Sequence, residues 1–312
     1  MRAFITGGAG FIGSNLVDVL IEKGYQVIVY DNLSSGKKEF ISQHSGKREF
    51  EFIQGELSDI EKLKNVMRGC ECIFHFASNP DIARSMVETD LDLREGTILT
   101  YNVLETMRVN NLRKILYSSG SGVYGDVGAI ATPEDYGPLL PISMYGASKL
   151  ACEAMISAFC HMFNMQAWIF RFANVVGGRQ THGVCLDFIR KLKKNPQQLE
   201  ILGDGTQSKS YIHIKDCLEA MLFTMQEANE KVNVYNVATD DYIDVTSIAN
   251  LVVEEMGLKN VQYKYTGGDR GWKGDVPLVR FDLNKIHKLG WKARYTSSEA
   301  VRLSVKEILG LD

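Results

Sequence analysis

Cysteine and proline are scarce, no apolar run reaches membrane-spanning length, and no block of like charge stands out. Each absence removes a class of protein. Six cysteines in 312 residues are too sparse for a disulfide framework. Most sit in apolar patterns, as Cys152 and Cys160 do in LACEAMISAFCHMF, and read as buried or half-buried thiols. Cys70 and Cys72 form a C-x-C pair without a second pair or histidines at ligand spacing, so no metal is expected. Without about 20 consecutive apolar residues there is no candidate bilayer span. A net charge of -3, with Lys and Arg scattered rather than massed, leaves no electrostatic footprint for nucleic acid or an anionic membrane. A small-molecule partner is the remaining expectation. The opening MRAFITGG reads as a strand and a glycine turn, not as a basic segment followed by an apolar signal core, and a cytoplasmic location is expected by default.

What is present has a rhythm. Short apolar runs (RAFIT, QVIVYD, EFEFIQG, CIFHFAS, KILYSS, QAWIFRF) alternate with amphipathic stretches such as FIGSNLVDVLIEKG and YGASKLACEAMISAFCHMFN. Strand alternating with helix implies a parallel sheet covered on both faces, because parallel strands are joined only by long crossovers. The fold class expected is therefore α/β, a Rossmann-type doubly wound parallel sheet over residues 1–173. After Asn174 the rhythm loosens, and residues 174–312 read as a smaller α/β lobe with a cleft between the two and some exchange of chain. DVTSIANLVVEEMG is expected to end its helix at Gly257, and Thr296 with Glu299 has capping-box spacing ahead of AVRLSVKEILG. There is no Pro- or Ser-rich linker, internal repeat or low-complexity segment.

ITGGAGFIGSNL carries Gly7, Gly10 and Gly13 between the first strand and a helix. Glycine is needed where the turn is tight, where backbone approaches a pyrophosphate and where helix and strand pack closely, while the helix start offers free N–H groups. A glycine triplet alone is weak evidence. Here a second strand, VIVYD, ends at Asp31, eighteen residues past Gly13, where a carboxylate can accept from both hydroxyls of an adenosine ribose. A ribose phosphate would meet that charge, so NAD is expected over NADP, with Lys37 and Lys38 pulling slightly the other way.

MYGASKLACEA places Tyr145 and Lys149 at i and i+4 on one helical face. An ammonium near a phenol favours the phenolate and lowers a pKa that starts near ~10, which makes Tyr145 a candidate general base or acid. The motif gains weight because it follows a fifth strand ending in the cluster Ser118, Ser119, Gly120, Ser121. His75, in FHFA, reads as a satisfied buried histidine, since nothing nearby in sequence orients it as a base.

Taken in order, TGGAGFIG, VYDNLSSG, FHFAS, YSSGSGVYG, YGASK, RFANVVG, SYIHIKD and GWKGDVP resemble the extended short-chain dehydrogenase/reductase family, within it the UDP-glucose 4-epimerase branch. The match spans nearly the whole chain. The resemblance implies an NAD-dependent UDP-glucose/UDP-galactose 4-epimerase that works through a transient 4-keto sugar. It implies Tyr145 as base and Lys149 as its tuner and nicotinamide-ribose ligand. It also implies a cofactor site from Gly7, Gly10, Phe11, Ile12, Gly13, Asp31, Asn32, Ser35, Gly36, Leu57, Phe76, Ala77 and Ser118 with Tyr145 and Lys149. Asn174, Lys209, Tyr211 and Asp275 are implied for the UDP-sugar, although Tyr211 beside Ile212 and Ile214 reads equally as core. A homodimer is implied through the Tyr145 helix and the one before it, with apolar Met155, Ile156 and Phe159 compatible with that contact or with the core.

Several positions depart from the family pattern. The catalytic hydroxyl falls at Gly120, so Ser119 or Ser121 stands in for it, the hydroxyl is dispensable but slowing, or the protein binds NAD and a sugar nucleotide without efficient turnover. Sugar-nucleotide 4,6-dehydratases carry an acid just before VYG, and decarboxylating relatives tend to as well; here stand Ser121 and Gly122. Leu93 occupies the place of an asparagine ahead of Gly96-Thr97. Trp272 replaces an arginine for the diphosphate, leaving Arg270 or Lys273, and Lys209 stands where arginine is common. The alternatives are another NAD-dependent nucleotide-sugar enzyme, such as an N-acetylhexosamine or uronic acid epimerase or a dehydratase, and a non-catalytic NAD-binding regulator.

Overall fold

The structure is a computed structural model and describes residues 1–80 and 82–311. Strands β1 (Arg2–Thr6), β2 (Gln26–Asp31), β3 (Phe50–Gln54), β4 (Cys72–His75) and β5 (Lys114–Gly120) alternate with helices α1 (Phe11–Glu22), α2 (Ile60–Val66) and α3 (Leu99–Val109). Beyond the two-residue strand β6 (Ala131–Thr132), the helix α4 (Met144–Phe163) leads into β7 (Gln166–Phe172). Then come β8 (Asn174–Val176), α5 (Val184–Lys194), β9 (Gln198–Ile201), β10 (Ser208–Lys209), β11 (Tyr211–His213), α6 (Ile214–Glu227) and β12 (Val232–Val237).

Seven strands make one sheet in the order β12-β7-β5-β4-β1-β2-β3. β1 lies inside the sheet with apolar side chains on both faces: Ala3, Phe4 and Ile5 are fully buried, as a parallel strand covered on both sides requires. It pairs in parallel with β2, Thr6 opposite Tyr30, and with β4, Thr6 opposite His75. β4 continues the sheet to β5, with His75 opposite Tyr117. β1, β2 and β4 thus end together at Thr6, Asp31 and His75, and β5 runs three residues further along the same edge, to Gly120. In a sheet of this kind ligands bind beyond those carboxyl ends. The α/β class and doubly wound topology read from the sequence are what the structure has.

The chain divides into two compact units: Met1–Ser119 with Ala147–Phe170 and Met225–Tyr235, and Gly120–Gly146 with Arg171–Thr224 and Asn236–Asp312. In the first, Phe4, Tyr30, Leu63, Val103, Ile115 and Ile156 belong to a buried core between sheet and helices. In the second, Phe188, Ile189, Tyr211, Ile248 and Val301 centre a separate core, built by α5, α7 (Val245–Glu255) and, after the short α8 (Asn284–Leu289), α9 (Ser297–Leu309). Gly257 (φ 65°) follows the end of α7, and Thr296 and Glu299 form the full capping box at the start of α9. The helix expected from GTILTYNVLETMRVNN differs at its start, where Leu93–Ile98 is a π-helix that runs into α3.

Candidate active site

The glycine turn is closed by contact. A Cβ on Gly13 would stand 2.4 Å from the Gly7 carbonyl oxygen, so only glycine lets α1 start so close to the turn. α1 opens at Gly10 with no side-chain cap and no acid in its first turn, which leaves N–H donors and the positive end of the helix dipole for a phosphate. Asp31, at the end of β2, accepts from the Ala9 N–H at 2.9 Å and the Leu33 N–H at 2.8 Å. Burial raises its pKa, and those two N–H groups work against the rise. Each carboxylate oxygen keeps a lone pair for a ribose hydroxyl. A closed glycine turn, an uncapped helix start and a fixed acceptor at the next strand end fit a dinucleotide.

The other expected cofactor residues are distributed around this frame. Asn32 donates to Glu56 at 3.0 Å, Ser35 is exposed and Gly36 half-buried, and Phe76 and Ala77 follow β4, half-buried. Phe11 and Ile12 form the half-buried first turn of α1. Leu57 lies in the core cluster with Tyr30 and Leu63. His75 is fully buried, its ring nitrogens bonded to the Thr6 hydroxyl at 2.6 Å and the Thr100 hydroxyl at 3.0 Å. Burial, helped by the Lys149 charge, lowers its pKa to about 3, so the ring is neutral and structural.

Tyr145 and Lys149 occupy successive turns at the start of α4, Tyr145 half-buried and Lys149 almost wholly so. The Lys149 ammonium donates to the Ser118 carbonyl at 2.7 Å and the Ser78 hydroxyl at 3.3 Å, above the Tyr117 ring at 5.0 Å. Burial brings its pKa down to about 8, against the opposing influence of Cys152, Asp92 and Glu153.

The serine cluster separates. The Ser118 hydroxyl turns to the His75 carbonyl at 3.5 Å. The Ser119 hydroxyl donates to Glu153 at 2.5 Å, both side chains buried. Gly120 is extended, and a Cβ there would meet within 4 Å only the Phe172 carbonyl oxygen, at 3.9 Å. Ser121 opens a single turn, Ser121–Tyr124, that lies on the start of α4: a Cβ on Gly122 would be 3.4 Å from Gly146 Cα and 3.9 Å from Tyr145 Cδ1. The sequence reading missed Glu153, although its place four residues past Lys149 on one helix face was a legible signal.

In the second unit the expected sugar-nucleotide residues gather. β8 and β11 pair in parallel with Asn174 opposite Tyr211. Lys209 donates to the buried Asp275 at 2.6 Å and lies over the Trp272 ring at 5.6 Å. Tyr211 is buried, and burial followed by the charges of Cys185 and Asp275 raises its pKa far above the ordinary phenol. Arg270, a candidate replacement for the missing arginine, is held by the Asp275 carbonyl at 2.6 Å and Asp126 at 2.5 Å. Lys273 is exposed.

The pattern of the NAD dependent epimerase/dehydratase family matches residues 3–238. The chain belongs to that family. It is 33% identical over 314 residues to a UDP-glucose 4-epimerase of Mycolicibacterium smegmatis, covering 98% of each chain. A solved UDP-galactose 4-epimerase superposes with a TM-score of 0.88 at 39% identity, covering 100% of this chain and 99% of that one. A UDP-N-acetylglucosamine 4-epimerase of Methanobrevibacter ruminantium, solved with UDP-N-acetylmuramic acid, has a TM-score of 0.88 at 26% identity, with coverage of 100% and 99%. Membership makes the chain an NAD-dependent enzyme of nucleotide-sugar chemistry. Gly7, Gly10, Gly13 and Asp31 are the residues whose geometry fits the adenine half of that cofactor.

Proposed function

We propose that this family member interconverts UDP-glucose and UDP-galactose at C4, acting in the cytoplasm as a homodimer. The observation that carries the reading is the start of α4, where Tyr145 stands one turn from a buried ammonium and against the Ser121–Tyr124 turn. Tyr145 takes the proton of the 4-hydroxyl. NAD, when bound, supplies the hydride acceptor and donor for the same carbon. Lys149, seated by Ser118 and Ser78, favours the phenolate and holds a ribose hydroxyl. The 4-keto sugar turns over, and Tyr145 returns the proton to the opposite face. Ser121 supplies the hydrogen bond to the sugar oxygen that Gly120 lacks, since Ser119 is engaged by Glu153. Asn174, Lys209, Tyr211 and Asp275 bind the nucleotide.

Epimerisation is favoured over dehydration by the turn itself. Expelling water needs an acid beside Tyr145, and the turn offers a hydroxyl at Ser121 and bare backbone at Gly122. A Cβ on Gly146 would be 2.4 Å from the Gly122 carbonyl oxygen, so position 146 carries no side chain against this turn either. For dimerisation, Ile98, Tyr101 and Met162 are large exposed apolar residues on and beside α3 and α4. No helix among the described residues is long and apolar enough to cross a membrane.

A second reading, an NAD-binding regulator without turnover, is favoured by the loss of the hydroxyl at Gly120 together with the commitment of Ser119 to Glu153. Incubation of purified protein with UDP-galactose, UDP-N-acetylgalactosamine and UDP-galacturonic acid separates the readings. Conversion of UDP-galactose ahead of the other two supports the proposal. Preference for either of the others reassigns the sugar, and no conversion of any supports the regulator.

A further inference from the structure

The π-helix before α3 inverts an ordinary preference. Asp92 is 2% exposed and Leu93, beside it, 49% exposed. Burial statistics favour the reverse, the leucine inside and the carboxylate in water. A π turn takes one residue more than an α turn, re-aims the side chains around it and is concentrated at functional sites. What it delivers here is a buried acid. One carboxylate oxygen of Asp92 accepts from the Asn79 amide at 3.0 Å, and its backbone carbonyl accepts from the Ser148 hydroxyl at 2.8 Å. The other carboxylate oxygen is buried without a hydrogen-bond partner.

These contacts converge on one lysine. Ser148 immediately precedes Lys149, and Ser78, which accepts from the Lys149 ammonium, immediately precedes Asn79, which holds Asp92. We propose that Asp92 is a positioning residue for Lys149: the π turn points a buried carboxylate inward so that its charge keeps the lysine an ammonium, seated beneath the Ser118 carbonyl. The inference rests on the proposed role of Lys149 toward Tyr145. Besides Tyr145, one turn earlier on α4, the other groups facing Lys149 are Cys152 and Glu153 on α4, His75 on β4 and Tyr117 on β5. His75 is neutral, the Cys152 thiol is bonded to the Thr100 hydroxyl at 3.3 Å, and Glu153 is engaged by Ser119. Asp92 is the carboxylate among them with an oxygen to spare. Burial pulls the Lys149 pKa down to about 8, and removing an opposing negative charge must lower it further.

The test uses Asp92→Asn in the NAD-loaded protein, with Ser148→Ala as a second variant. Carbon NMR of protein labelled at the lysine ε-carbon, with the Lys149 signal identified by its loss in Lys149→Arg, reads the lysine without requiring turnover. The midpoint should fall by about one pH unit in Asp92→Asn, a tenfold change in the ammonium equilibrium, and by less in Ser148→Ala. The alkaline limb of kcat/KM should move the same way, with the melting temperature and bound NAD retained. A Lys149 midpoint unchanged in a folded Asp92→Asn protein, or in Ser148→Ala if the first variant does not fold, overturns the proposal. Wild-type protein that converts no UDP-sugar contradicts the proposed function instead, and the lysine titration still decides the role of Asp92.

Discussion

The Ser119 hydroxyl donates to Glu153 at 2.5 Å inside the first unit, and the next residue, Gly120, offers no hydroxyl. A buried hydrogen bond to an acid contributes about 1.5–3 kcal/mol. Ser119→Ala should therefore lower the melting temperature more than it lowers kcat. Ser121→Ala should do the reverse, cutting kcat by roughly 100- to 1,000-fold at nearly unchanged stability, the range for a lost hydrogen bond to a reacting oxygen. Paired thermal melts and steady-state kinetics on the two variants check this; equal kcat losses would refute the assignment to Ser121.

The pH dependence follows from Lys149. Its folded pKa lies near 8, below the ordinary lysine value, so the ammonium is present below that pH and lost as pH rises through it. Activity should fall on the alkaline side of about 8. Lys149→Arg, which stays charged, should flatten that limb while lowering kcat through its different shape. A wild-type kcat/KM that stays level to pH about 10, the range of an unperturbed lysine, would count against a tuning role.

Backbone contact between Gly122 and Gly146 gives a third expectation. A methyl at Gly146 would lie 2.4 Å from the Gly122 carbonyl oxygen, so the Ser121–Tyr124 turn must move. Overpacking of this kind costs about 1–3 kcal/mol of stability, and a displacement of about 1 Å beside the chemistry costs on the order of 100-fold in rate. Gly146→Ala should lose kcat well beyond its loss of stability, whereas Gly24→Ala, with nothing within 4 Å of an added Cβ but a left-handed backbone (φ 78°) that strains any side chain, should lose stability and keep kcat.

Stability at low pH should depend on Glu307. Its carboxylate accepts from the Gly178 N–H at 2.8 Å and approaches His213 at 3.2 Å and Lys215 at 3.4 Å. Burial opposes ionisation, but His213, Lys215 and the Gly178 N–H outweigh it and hold the folded pKa below its ordinary value. The stabilisation is therefore present above the unfolded pKa and is lost as pH falls through the lower folded one. Glu307→Gln should destabilise the protein by about 1–3 kcal/mol near neutrality and by progressively less in acid, as urea titrations at several pH values would measure.

Much of the sheet's first half and of the Tyr145–Lys149 pair was legible because the signals are local. β1, the glycine turn, α1 and Asp31 lie within a short span, and the spacing of Tyr145 and Lys149 on α4 is a single-helix property. The capping box at Thr296 and the stop at Gly257 were equally readable. Legibility failed where geometry depends on a defect or on distant chain. Nothing in DLREGT announces the π turn at Leu93–Ile98 or the burial of Asp92 beside an exposed Leu93. The pairing of Lys209 with Asp275 joins residues 66 apart, and that of Arg270 with Asp126 joins residues 144 apart. The serine cluster looked like one site because its members are adjacent, but the Ser118 and Ser119 hydroxyls go to His75 and Glu153, while Ser121 lies past Gly120 in the next turn.

The central claim is that the Tyr145 phenol moves the sugar proton while NAD is recycled within each turnover. The most direct measurement follows UDP-galactose to UDP-glucose conversion by purified wild-type protein and by Tyr145→Phe, each with its NAD content determined. The account predicts steady conversion by wild type without net NAD consumption, and a fall of about 10²- to 10⁴-fold in Tyr145→Phe at equal NAD content. Conversion by Tyr145→Phe at the wild-type rate would contradict it.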